Sequence, residues 1–157
     1  MPAATPVDQP PPGAAGATVT EMCPGCGAVL APLPGRGPTH PGASPGCARL
    51  FEVTLRGLRE DALAEPAAAA TLRLAEAAYD AQHAVPGDPD RLRTALARLA
   101  AAAGCRVPAE DRDPPGAWRT TIADVAADLD VIDLPVLVES WAGSVAEDWS
   151  TASAARQ

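Results

Sequence analysis

The sequence predicts an all-α fold, about five helices packed as an irregular bundle behind an N-terminal Cys-rich loop. Three observations lead there. Apolar residues recur at steps of three and four in five separate segments, start and stop signals bracket those segments, and no period-two pattern extends beyond a few residues. The length of 157 residues, 47% hydrophobic, fits one small domain. Its aromatic side chains are Phe51, Tyr79, Trp118, Trp141 and Trp149, so Ala, Leu and Val must make most of the core.

Residues 1–20 are Pro, Ala and Gly with almost no large apolar side chain, and are expected to be a disordered tail. Residues 22–45 are rich in Cys, Gly, Pro and His, which excludes a long helix and implies a turn-rich loop in need of an organiser. A first helix is expected over 45–60. Ser44 serves as its N-cap, Pro45 takes the first helical position, and Cys47, Phe51, Leu55 and Leu58 share one face. Arg49, Arg56 and Arg59 fall on another face and read as its solvated side.

The second helix, 66–84, starts at Pro66 and aligns Leu72, Ala75, Tyr79 and His83. The third, 89–104, is capped by Asp88, has Pro89 just inside, carries Leu92, Leu96, Leu99 and Ala103, and stops at Gly104. A polar, Pro-rich linker follows over 106–117. A fourth helix, 121–130, opens with Thr121 and Asp124 in a capping-box arrangement, Asp replacing the usual Glu. The last, 134–149, places Leu134, Val138, Trp141, Val145 and Trp149 on one stripe, with a disordered tail expected over 151–157. The single domain thus spans 21–150.

The chain carries 20 acidic residues against 12 basic ones, all Arg, for a net charge of -8. Phosphate-backbone affinity needs clustered positive charge, so nucleic acid is a poor expected partner. No apolar run approaches the roughly 20 residues of a membrane-spanning helix, and Met1-Pro2-Ala3-Ala4-Thr5-Pro6 lacks the marks of a signal peptide. The expected location is the cytoplasm. In a reducing compartment four Cys favour metal ligation or buried thiols over disulfides.

The most specific motif is Cys23-Pro24-Gly25-Cys26-Gly27, the spacing of a zinc knuckle, in which two thiolates reach one tetrahedral ion at about 2.3 Å. A redox CxxC would stand at a strand-to-helix junction, whereas this one runs into Gly27-Ala28-Val29-Leu30-Ala31-Pro32, which cannot continue as a helix. Two inert thiols are the other alternative. Because a knuckle supplies two ligands, the site needs more. Cys47, in the first turn of the first helix, is the expected third, and it doubles as a small buried hydrophobe on the Phe51 face. Cys105 has no Cys or His partner nearby in sequence and reads as a core thiol.

Two His compete for the fourth position. His40 would close a local C-x2-C-x13-H-x6-C string, while His83 would bring a helix to the knuckle and staple the loop to two helices. We favour His83, with His40 as the alternative. Tyr79 and Asp80 lie four and three residues before His83 and neighbour it on the helix surface, where they could orient an imidazole or move protons beside a metal-bound water. Core Tyr and exposed Asp is the plainer alternative.

CPGCG, HPGASPGCARLFEVTLR, AYDAQH and ESWAGSVAEDWS, in that order, resemble an uncharacterised family of small actinobacterial proteins over residues 22 to about 150. Its members begin with CPGCG, continue through a His and Ala-Ser-Pro-x-Cys-Trp, and carry Asp-x-Tyr-x-x-Gln-His. The chain departs in having Ala48 in place of Trp and Tyr79-Asp80 in place of Asp-x-Tyr. The resemblance implies that Cys23, Cys26, His40, Cys47, Tyr79 and His83 are site positions. It implies no reaction. Two functions are therefore carried forward. One is a zinc-binding helical protein with a binding or accessory role toward a protein or small molecule. The other is a metal-dependent enzyme of specialised metabolism with an open zinc position, in which His40, Tyr79 and Asp80 transfer protons.

Overall fold

The computed structural model describes residues 19–32, 37–104 and 113–154, and Cys105 lies outside them. Among the described residues there are six helices and one two-stranded antiparallel sheet. Strands β1 (Glu21–Met22) and β2 (Val29–Leu30) pair Glu21 with Leu30 and Met22 with Val29, flanking the knuckle turn. This short sheet was not expected. Two residues per strand are too few to leave a period-two signal, and the turn between them sets the pairing.

Helix α1 (Pro45–Thr54) begins as its signals require: the Ser44 hydroxyl accepts the Cys47 N–H at 3.2 Å and Pro45 fills the first position. The single helix expected over 45–60 is interrupted. Leu55 leaves helical dihedrals, at φ -98° and ψ 6°, and α2 (Arg56–Asp61) follows. The break keeps its hydrogen bonds, Leu55 N–H to Phe51 O and Arg59 N–H to Leu55 O, so it is a bend rather than an end. Thr54 and Gly57 flank it, both weak helix formers, and the bend leaves Leu55 fully buried and Leu58 buried.

Helix α3 (Pro66–Gln82) is the centre of the molecule and packs against α2, α4 and α6. It ends two residues earlier than expected, because His83 turns out of the helix at φ -119° and ψ 49°. Helix α4 (Pro89–Ala103) is capped by Asp88, whose carboxylate accepts the Arg91 N–H at 3.2 Å, and stops at Gly104 with φ 63°. Helix α5 (Ile122–Asp128) has both bonds of the capping box, Thr121 N–H to the Asp124 carboxylate at 2.7 Å and Ala123 N–H to the Thr121 hydroxyl at 3.2 Å. Asp reaches as well as Glu here. Helix α6 (Leu134–Ala154) continues past the expected stop at 149 into the expected tail, since no Gly or Pro follows Trp149 and Ser150 bonds back to the Ala146 carbonyl.

The core joins the predicted stripes: Phe51, Leu55 and Leu58 of α1 and α2, Ala75 and Tyr79 of α3, Leu96 and Leu99 of α4, and Val138, Trp141, Val145 and Trp149 of α6. Leu72, Leu92 and Leu134 sit at its margin, while Ala103 is exposed. Polar groups enter this core only with partners. Gln82, 2% exposed, donates to the Thr120 carbonyl at 2.7 Å and accepts the Trp141 indole N–H at 3.1 Å. The Trp149 indole donates to the Ala81 carbonyl at 3.2 Å. These bonds tie α6 and the segment before α5 to the last turn of α3, the turn that presents His83.

Gln82→Leu removes an acceptor and a donor at once and strands the Trp141 indole N–H and the Thr120 carbonyl in the core. Such losses cost about 1–3 kcal/mol per buried group. Chemical denaturation should report a destabilisation of about 2–4 kcal/mol by the same rule; an unchanged midpoint would show that these bonds do not hold the turn.

Candidate metal centre

The knuckle is built by backbone first. Cys23 N–H bonds to the Ala28 carbonyl at 2.8 Å and Gly27 N–H to the Cys23 carbonyl at 2.9 Å, closing a turn that points both thiols the same way. Gly27 has φ 77°, the left-handed region that favours glycine. Cys47 reaches the turn from the first turn of α1, and His83 from the C-terminal end of α3. The sulfurs of Cys23, Cys26 and Cys47 and a ring nitrogen of His83 all lie within 4.8 Å of one another, and all four residues are buried. Cys26 and Cys47 sulfurs are 3.8 Å apart, and His83 Nε2 is 3.5 Å from the Cys47 sulfur. Three thiols and an imidazole around one point could hold a metal ion.

The surroundings orient these groups. His83 Nδ1 donates to the Tyr79 carbonyl at 2.7 Å, which leaves the Nε2 lone pair facing the sulfurs, the arrangement a ligating imidazole needs. The same carbonyl also accepts the His83 backbone N–H at 3.0 Å. The Ser44 N–H donates to the Cys23 sulfur at 3.4 Å, and the Tyr79 hydroxyl to the Cys47 sulfur at 3.4 Å. Both favour thiolate over thiol.

The four groups also shift one another's protonation. Hydrogen bonds from Cys26 and then Cys47 hold the Cys23 thiol far below the usual thiol range. The facing Cys23, then Cys26 and burial, push Cys47 far above it. Burial first, and the bond to Cys47 second, push the Tyr79 hydroxyl up. Burial opposes charge on His83, but its hydrogen bonds with Cys23 and Cys26 overcome this and push it up to about 9. One thiolate forms readily. Cys47 resists, because the facing sulfurs and burial disfavour a second negative charge, and a cation bound among them would offset that repulsion.

Close approach is secured by two glycines. A Cβ on Gly25 would stand 2.5 Å from the His83 ring and 2.6 Å from the Gly42 carbonyl, and one on Gly42 would stand 2.4 Å from the His83 carbonyl. Any larger residue there would push the knuckle off α3.

His40 stands outside the four-residue cluster. Its Nδ1 accepts the Gly42 N–H at 3.1 Å and its Nε2 faces the Asp80 carboxylate at 3.1 Å, while Arg91 donates to the same carboxylate oxygen at 2.9 Å. His40 packs edge-on against Tyr79 and His83, with ring centres 5.3 and 5.6 Å away. It buttresses the centre and locks the loop to α3 and α4. Asp80, read from sequence as a partner of His83, serves His40 and Arg91. The sequence reading missed Trp118, whose indole donates to the Gly25 carbonyl at 3.0 Å. Its position in a Pro-rich stretch left no signal, because the contact crosses the whole chain. Arg91 was missed as well; spacing on α4 places it near Asp80 only once α3 and α4 are packed.

His83→Ala should weaken metal binding by more than about a hundredfold and alter the visible spectrum of the cobalt-loaded protein, since it deletes a ligand. His40→Ala should keep the spectrum and change affinity by less than about tenfold. A spectrum that responds to His40 and ignores His83 would exchange their roles.

Comparison with known proteins adds one match. No curated protein and no solved structure matches the chain. A family model matches residues 21–113, which include all four cluster residues and His40 and more than half of the sequence. The chain therefore belongs to a family of unknown function (DUF5946).

Proposed function

We propose that the protein binds one zinc ion through Cys23, Cys26, Cys47 and His83 Nε2 in a closed structural centre, and that it works as a binding or accessory protein. The observation that carries this reading is the spacing of the ligand atoms. A tetrahedral zinc with bonds of about 2.3 Å to sulfur and about 2.0–2.1 Å to nitrogen has edges of about 3.8 Å between sulfurs and about 3.5 Å from sulfur to nitrogen. In the structure the Cys26 and Cys47 sulfurs are 3.8 Å apart, His83 Nε2 is 3.5 Å from the Cys47 sulfur, and all four ligand atoms lie within 4.8 Å of one another. Cysteine-rich sets of four are the mark of structural rather than catalytic zinc.

The competing reading, an open zinc position served by His40, Tyr79 and Asp80, is less well supported. Four ligands saturate a tetrahedron. Both nitrogens of His40 are engaged by Gly42 and Asp80, and the Tyr79 hydroxyl is engaged by Cys47. Among the described residues no helix is long and apolar enough to cross a membrane. We place the protein in the cytoplasm, where thiolates stay reduced. With a net charge of -8 we propose a partner other than nucleic acid.

Purified protein should contain one zinc per chain by elemental analysis. Chelation should abolish the cooperative thermal transition or lower its midpoint by more than about 10 °C, because the binding free energy of a structural ion is folding free energy. Protein without stoichiometric metal, or unmoved by chelation, overturns the reading.

A further inference from the structure

A cavity of about 340 Å³ opens between α1, α2, α3 and α4, on the side of Tyr79 away from the knuckle. None of the four cluster residues lines it. Its apolar floor is Ala48 with the stacked rings of Phe51 and Tyr79, centres 4.0 Å apart. The Tyr79 ring stands between Phe51 and His83, whose centres are each 4.0 Å away, and its hydroxyl bonds to Cys47. The volume lies in the range of small-molecule sites.

Three guanidiniums converge on this cavity, in a chain whose overall charge is -8. Arg91 and Arg98 are seven residues apart on α4 and so share a face. Arg91 is held by Asp80. Arg59 lies 5.9 Å from the Phe51 ring centre and pairs with Glu52 and Glu76, yet its buried Nε has no hydrogen-bond partner among the described residues. Arg98 is exposed and pairs with nothing among the described residues. The carboxylates are thus committed to Arg59 and Arg91, while donor capacity is left over. A buried donor without a partner calls for one, and planar guanidiniums recognise carboxylate and phosphate oxygens.

We propose that this cavity binds a small organic oxyanion, a carboxylate or a phosphate monoester, with its apolar body against Ala48 and the rim of the Phe51–Tyr79 stack and its charged end at Arg98. The proposal deepens the binding role given above and does not depend on which metal fills the cluster. The zinc centre then acts as the back wall: it fixes Tyr79 and the first turn of α1, and His40 closes the loop side through Asp80.

The test titrates full-length, metal-loaded protein with benzoate and phenyl phosphate, followed by amide chemical shifts, with inorganic phosphate and benzyl alcohol as controls. Saturable binding of benzoate or phenyl phosphate is expected, with shifts confined to residues around the cavity. The stronger of the two identifies the anionic class. Arg98→Ala, which removes an exposed side chain and leaves the fold intact by circular dichroism, should weaken that binding by about fivefold or more. Absence of binding by both probes overturns the proposal, as does indifference to Arg98→Ala, equal binding of benzyl alcohol, or equal binding of inorganic phosphate. Zinc content measured on the same sample separates the two readings. Protein with one zinc that binds neither probe overturns the cavity alone, and protein without zinc that binds a probe overturns the zinc centre alone.

Discussion

The structure depends on one convergence: three thiols and an imidazole from three parts of the chain meet in a space without water. Thiolates packed this closely repel one another, and a cation placed among them would offset that repulsion. The segment that supplies Cys23 and Cys26 has few apolar side chains with which to hold itself against the helices. It is held by backbone bonds within the turn, by the Ser44 N–H on the Cys23 sulfur and the Trp118 indole on the Gly25 carbonyl, and by glycines that let it lie directly on the end of α3. A Gly- and Pro-rich stretch is thereby fastened to the central helix.

The end of α3 is where these demands are reconciled. Helix α3 stops at Gln82, and His83 Nδ1 donates to the Tyr79 carbonyl. The preceding residues hold that stop in place from outside: Gln82 bonds to Thr120 and Trp141, and Ala81 accepts from Trp149. Each bond crosses a helix boundary, so α6 and the segment before α5 hold the ligand in position. Asp80 completes the turn by holding His40 and Arg91. Four consecutive residues, Asp80 to His83, thus contact the loop, α4, α6 and the metal centre.

The family model covers residues 21–113, and so the centre and the cavity-lining helices, but not α5 or α6. That division matches the physical one. Ligands and the cavity residues lie in the matched part, and α6 contributes the large indole side chains that fill the core behind them. Tyr79 links the two features, its hydroxyl turned to Cys47 and its ring to the cavity. The cavity and the Cys/His cluster therefore share a single buried side chain.

Much of this was legible in the sequence because it is local. Ser44, Asp88 and Thr121 cap the helices they precede, since a cap needs only the next three residues. The stripes of α1 and α6 are buried as their spacing requires, and the CxxC spacing with Cys47 and His83 named the cluster residues. What the sequence could not determine is set by packing between segments far apart. The Gln82 side chain finds Thr120 and Trp141 only once α6 and the segment before α5 pack on α3. Which His lies beside the sulfurs depends on how the end of α3 meets the knuckle, and Trp118 reaches Gly25 from 93 residues away. Periodicity and caps are encoded within a few residues; the direction in which a side chain finds its partner is decided by the tertiary arrangement of helices.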